Sequence, residues 1–210
     1  EWYNDKLSLA AADDVTVTGG QNTENIDAQL AAGGILAGHV TDEGGNGLQN
    51  VRVRLYDANN LQVMNTLTDA NGNYTLMRIA TGNYRVRFDT SAMNANYIGE
   101  YYNDKVSLAT ADAVPITGGQ TSTADAVLVP GGIITGRITD INGSGVPNVR
   151  IALRTAYSNV VYVNNKFTDS SGNYIVQGIP AGAYKIFFNC NDTSNSYIPE
   201  WYNNKEDFLT

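Results

Sequence analysis

Four sets of side chains in this sequence have the types and spacing to do chemistry. The first is a hexapeptide: Glu1-Trp2-Tyr3-Asn4-Asp5-Lys6 returns as Glu100-Tyr101-Tyr102-Asn103-Asp104-Lys105 and as Glu200-Trp201-Tyr202-Asn203-Asn204-Lys205. Its paired rings (Trp2 with Tyr3, Tyr101 with Tyr102, Trp201 with Tyr202) could stack on sugars or pack the seam between successive domains. Seam packing is the expectation, with Lys105 or Asp104 closing a surface ion pair of small value. The second set is Asp69, Asn71 and Asn73 around Gly72, with Asp169, Ser171 and Asn173 around Gly172. Oxygen ligands at alternate positions around a glycine turn suit calcium, yet neither run has the downstream bidentate glutamate, and Asp and Asn capping their own turn give the same pattern. The third is an outward stripe of Arg52, Arg54, Arg85 and Arg87, which suits an anionic polysaccharide or a neighbouring filament but also describes an ordinary solvated sheet. The fourth is His39, Cys190 and the adjacent Asp13 and Asp14; a lone histidine on a strand and neighbouring loop carboxylates make neither a triad nor a glycosidase pair. No enzyme is expected, and calcium is the one cofactor with any support.

Composition narrows the partners. The chain has 210 residues and 22.6 kDa, 42% of it hydrophobic, with 13 basic and 21 acidic residues giving a net charge of -8. That sign opposes a phosphate-binding surface, so nucleic acid is not expected. No apolar run approaches the roughly 20 residues of a membrane-spanning helix. No basic and hydrophobic leader opens the sequence, which reads as mature or as excised from something longer. A single cysteine and a single histidine cannot supply an intrachain disulfide or a zinc site. Low charge with 21 Gly and 13 Tyr suits a strand-rich extracellular or cell-surface protein with polar loops. Sequons at Asn73, Asn142 and Asn191 permit glycosylation.

The hexapeptide marks a period of about one hundred residues. Within it, Thr18-Gly19-Gly20-Gln21 matches Thr117-Gly118-Gly119-Gln120, and Gly33-Gly34-Ile35 matches Gly131-Gly132-Ile133. Short runs alternate between apolar and polar side chains. Val51, Val53 and Leu55 point inward and Arg52 and Arg54 outward; Tyr84, Val86 and Phe88 point inward and Arg85 and Arg87 outward. Val149, Ile151 and Leu153 alternate with Arg150, Ala152 and Arg154, and Tyr184, Ile186 and Phe188 repeat the inward set. Gly44-Gly45-Asn46-Gly47 and Asn142-Gly143-Ser144-Gly145 read as hairpin turns. The spacing predicts an all-β sandwich repeated in tandem, with one short helix around Ser107–Ala113 and its counterpart at Ser8–Asp14.

The segments Gly131–Asp140, Gly145–Val149, Thr168–Tyr174 and Gly178–Tyr184 resemble the carboxypeptidase regulatory-like domain. The resemblance covers nearly all of each period. It implies a transthyretin-like (Ig-like) seven-stranded β-sandwich, kin to collagen-adhesin B repeats, whose members serve as stalks, spacers, adhesive modules or accessory domains of secreted enzymes. Some relatives carry a Lys to Asn isopeptide staple; Ile35–Val40 and Ile133–Ile138 contain no lysine to start one.

Placing the family's domain start at Gly33 divides the chain into three parts. Residues 1–30 form the closing segment of a preceding domain or a donor strand, 31–129 a complete sandwich, and 130–210 a second sandwich without its closing strand. Val15, Val17, Ile26, Ala28 and Leu30 are the apolar side chains such a strand would insert. The expected partners are therefore neighbouring copies along a fibre, joined by tandem linkage or by strand donation. Glycans are a second candidate partner through the aromatic motif.

Overall fold

The computed structural model describes residues 9–93, 95–155, 161–191, 193 and 197–202. The first unit contains β1 (Gly34–Asp42), β2 (Arg52–Tyr56), β3 (Gln62–Leu67), β4 (Asn73–Ile79), β5 (Gly82–Asp89), β6 (Glu100–Tyr101), β7 (Ala113–Ile116), β8 (Thr121–Thr123) and β9 (Ala126–Leu128). The second contains β10 (Gly132–Arg137), β11 (Arg150–Thr155), β12 (Val161–Phe167), β13 (Asn173–Ile179), β14 (Tyr184–Asn189) and β15 (Glu200–Trp201).

Two sheets face each other in the first unit. One runs β4-β1-β8 with β9 also on β1; the other runs β3-β2-β5-β6 with β7 also on β5. The second unit repeats this as β10-β13 against β12-β11-β14-β15. Alternation sends Val51, Val53, Leu55, Val86 and Phe88 into one core and Val149, Ile151 and Leu153 into the other. Ala152 lies on the outer face, opposite Phe187, and is nonetheless buried.

The repeated Thr-Asp-x-x-Gly-x-Tyr run builds a corner of each sandwich. The Thr68 hydroxyl receives the Val51 N–H and donates to the Leu48 carbonyl, and Thr168 does the same with Val149 and Val146. Asp69 Oδ1 accepts from the N–H groups of Asn71 and Asn73, each at 2.9 Å, and Asp169 repeats the geometry with Ser171 and Asn173. Gly72 and Gly172 turn the chain at φ of 82° and 81°, where a β-carbon is disfavoured.

The expected helix is absent from Ser107–Ala113. Ser107 and Thr110 bond to each other through side chain and backbone as an isolated turn, and β7 then extends the chain from Ala113. At Ser8–Asp14 the described residues hold a three-residue 3-10 helix, Leu9–Ala11. A second one, Thr90–Ala92, is capped by the Asp89 carboxylate on the Ser91 N–H.

Candidate functional site

The two units differ at one edge. In the first, β1 pairs with β4 on one side and in parallel with β8 and β9 on the other, in the register Ile35 to Thr121 and Val40 to Ala126. Ile35 N–H donates to the Gln120 carbonyl at 2.9 Å, Ala124 N–H to Ala37 at 3.0 Å, and His39 N–H to Asp125 Oδ1 at 2.7 Å. The Tyr74 hydroxyl donates to the Ala124 carbonyl at 2.6 Å. Burial pushes this phenol far above its ordinary pKa, so it stays protonated as a donor. Beneath these bonds Val114, Ile116, Ala126 and Leu128 are buried, and Leu36, Val40 and Phe88 are wholly enclosed.

In the second unit, β10 pairs only with β13 among the described residues. Where β8 and β9 would lie there is a groove of about 720 Å³, bordered by Ile138, Val146, Tyr174, Phe188, Cys190 and Tyr197. Ile134, Ile138, Tyr174 and Phe188, the counterparts of Leu36, Val40, Tyr74 and Phe88, are only half-buried, and Ile133 is 51% exposed.

The segment with the opposite defect precedes β1. Residues 13–33 are exposed throughout, with Val17 at 75% and Leu30 at 74% and with Val15, Ile26 and Ala28 likewise open to solvent. No strand includes them. The chain thus carries an uncovered apolar groove and an uncovered apolar segment.

The junction between units is hydrogen-bonded along its length. Val129, Pro130 and Gly131 separate β9 from β10. Ile98 N–H donates to Val129 at 3.0 Å, Tyr97 bridges Pro130, and Gly131 N–H donates to the Asn96 carbonyl at 3.1 Å. The Asn96 side chain clasps the second unit, its amide donating to the Gly131 carbonyl and its Oδ1 receiving the Gly178 N–H at 2.6 Å.

The aromatic motif also packs within its own unit. Tyr101, 8% exposed, packs against Tyr56 with ring centres 6.4 Å apart and lies under the Arg87 guanidinium, while Tyr102 packs onto the first core. Trp201 stacks on Phe187 at 4.8 Å and under Arg154. Tyr101, Tyr102 and Trp201 therefore pack against their own units, and Asn96 and Tyr97 make the hydrogen bonds of the seam. Tyr202 is exposed; Trp2 and Tyr3 lie outside the described residues. Lys105 meets Asp112 at 3.6 Å on the surface.

The arginine stripe runs along the outer face of β2 and β5, where Arg54 and Arg87 sit directly opposite. Arg54 binds Asp89 through Nη2 at 2.6 Å and Nε at 3.0 Å. Burial would raise the Asp89 carboxyl, but bonds from Ser91 and Arg54 bring it below the ordinary carboxylate range. At the two candidate calcium loops, Asp69 and Asp169 spend their Oδ1 atoms on turn amides. His39 is exposed, and its ring reaches the Asn71 carbonyl at 2.6 Å, just as Arg137 reaches Ser171 at 3.0 Å. Cys190 lines the groove, and burial raises its thiol pKa.

Comparison with known proteins places this architecture. The sequence profile of the carboxypeptidase regulatory-like domain matches residues 35–129 and again 133–201, so the chain belongs to that family and carries the domain twice. Serine-aspartate repeat-containing protein F of Staphylococcus epidermidis is 26% identical over 183 residues, covering 80% of this chain and 11% of that protein. Serine-aspartate repeat-containing protein C of Staphylococcus aureus is 25% identical over 210 residues, covering 88% of this chain and 22% of that protein. The chain therefore spans a small part of each relative. A Streptococcal ancillary pilin superposes with a TM-score of 0.40 at 15% identity, over 85% of this chain and 60% of that one; so loose a match carries no argument.

Proposed function

We propose that this chain is a structural repeat of an extracellular filament, stalk or adhesin, its sandwiches set head to tail with neighbouring copies as partners. The observation that carries this is the junction. A domain that must swivel toward a ligand hangs on a flexible linker, whereas here every residue from Val129 to Gly131 is engaged and Asn96 fixes the next unit through its side chain. Successive units in such an arrangement keep one orientation and extend as a rod. Family membership and the serine-aspartate repeat-containing relatives support placement outside the cell or on its surface. Among the described residues no helix is long and apolar enough to cross a membrane.

Glycan binding has less support than the motif promised, because Tyr101 and Trp201 spend their rings on their own units. Electron micrographs of native material test the reading: regular fibres with one sandwich per hundred-residue axial step are expected, and dispersed compact particles would sink it. Glycan capture lost in Trp201→Ala, with folding intact, would favour the binding module instead.

A further inference from the structure

Resting on that reading, we propose that Asn96 and Gly178 form a matched pair that decides which unit stacks stiffly on which. The bulge of β13 is a docking notch for the Asn96–Tyr97 segment of the unit before it, and Arg78 closes the same notch on the first unit. Three observations carry this.

The first is that both units have the bulge. From Gly34 to Leu36 the partner on β4 moves from Ile79 to Leu76, and from Gly132 to Ile134 the partner on β13 moves from Ile179 to Val176, so each strand holds one extra residue there. Arg78 takes φ 63° in one bulge and Gly178 φ 69° in the other. The glycine facing the bulge is required in both units. A β-carbon on Gly33 would lie 2.6 Å from the Arg78 Cα, and one on Gly131 2.6 Å from the Gly178 Cα. The bulge residue is freer, because Arg78 adopts the left-handed conformation with its side chain exposed.

The second is that the neighbouring unit, and not the bulge, demands glycine at 178. A β-carbon on Gly178 would come 2.5 Å from the Tyr97 carbonyl oxygen, a main-chain atom that cannot swing aside. The Thr90 hydroxyl donates to that carbonyl at 3.0 Å and holds it in place. With no side chain in the way, the Gly178 N–H reaches Asn96 Oδ1 at 2.6 Å while the Asn96 amide donates to the Gly131 carbonyl. One side chain thus grips both sides of the bulge.

The third is that both members of the pair change between the units. The first unit has Asn96 and Arg78; the second has Ser196 and Gly178. A serine is shorter and offers one polar atom where the amide offers two. The reverse order would set Ser196 against Arg78, with neither the grip nor the room. The other bonds of the joint, Ile98 N–H to Val129 and Gly131 N–H to the Asn96 carbonyl, run between backbones and carry no selectivity.

The test is to measure amide residual dipolar couplings on the 210-residue chain and ask whether the two units share one alignment frame. The parent should give a single frame of equal magnitude in both units. Gly178→Arg, which the bulge of β4 already accommodates, and Asn96→Ser should each lower the second unit's alignment relative to the first by about twofold or more, with the pattern inside each unit kept. Arg78→Gly should leave the shared frame intact. Combining Asn96→Ser with Gly178→Arg should do little more than either alone, the non-additivity of a single contact. A parent with two independent frames, or a shared frame that survives both Gly178→Arg and Asn96→Ser, would overturn the proposal. Native fibres with a hundred-residue step would still stand in either case, since they report that units stack and not what selects the neighbour.

Discussion

The two units share a fold diagram and differ in one strand pair, so each position in one is a control for its counterpart in the other. With β8 and β9 in place, Leu36, Val40, Tyr74 and Phe88 are enclosed; without them, Ile134, Ile138, Tyr174 and Phe188 are half-open. Both units keep the threonine pin, the aspartate-capped turn and the glycine opposite the closing strand. Local structure in this family is therefore set by short-range motifs, and burial of the core by a segment nearly a hundred residues later in sequence.

The sharpest way to break the comparison is to charge the closing strand in each position. Leu128→Asp places a carboxylate in a sealed core and should cost the first unit about 4 kcal/mol or more in urea unfolding. Leu30→Asp, on an exposed side chain, should change the chain's stability by less than about 0.5 kcal/mol. Next come the paired glycines. Gly34→Ala drives a β-carbon into Ile116 and should cost about 2–3 kcal/mol, whereas Gly132→Ala should cost less than about 1 kcal/mol. The third pair should show no difference. Thr68→Val and Thr168→Val each strip two buried backbone groups of a partner and should each cost about 1–2 kcal/mol, read as separate shifts of the two unfolding transitions.

The smallest effect lies at Glu100, which lines a cavity together with Lys166, Gln177 and Pro180 of the second unit. Burial, with help from the Asp104 carboxylate, raises the Glu100 pKa from 4.5 to about 7. The folded chain holds this proton more tightly than the unfolded chain, so the contribution to stability is complete below pH 4.5 and is lost as pH climbs through about 7. Half-exposure and solvent screening reduce it to about 1 kcal/mol. Glu100→Gln should flatten the first unit's melting temperature across that range; an unchanged slope would assign it to another group.

Much of this was legible in the sequence because it is local. Alternation at Val51–Leu55 and Val149–Leu153 found the cores, and the glycine turns found the corners. What escaped depends on neighbours distant along the chain. The direction of Tyr101 is set by Tyr56 and Arg87 on other strands, contacts that the hexapeptide's position near a boundary does not show. Asn96 occurs at the junction without a motif of its own: Tyr97-Ile98 after it returns as Tyr197-Ile198, but Asn96 itself is replaced by Ser196 in the next period. The turn at Ser107 reads as a helix start until its side chain is seen bonding to Thr110. Gly34 was visible as half of a Gly-Gly pair, but only the closeness of Ile116 and Thr117 reveals what it makes room for.

The parallel pairing of β1 with β9 has a mechanical consequence. The strand that enters the first unit and the strand that leaves it run side by side in the same direction. Tension applied at opposite ends of the unit slides them past one another lengthwise, so the ladder is loaded in shear, with its bonds stretched together. An antiparallel pair pulled from one end would open like a zipper, one bond at a time.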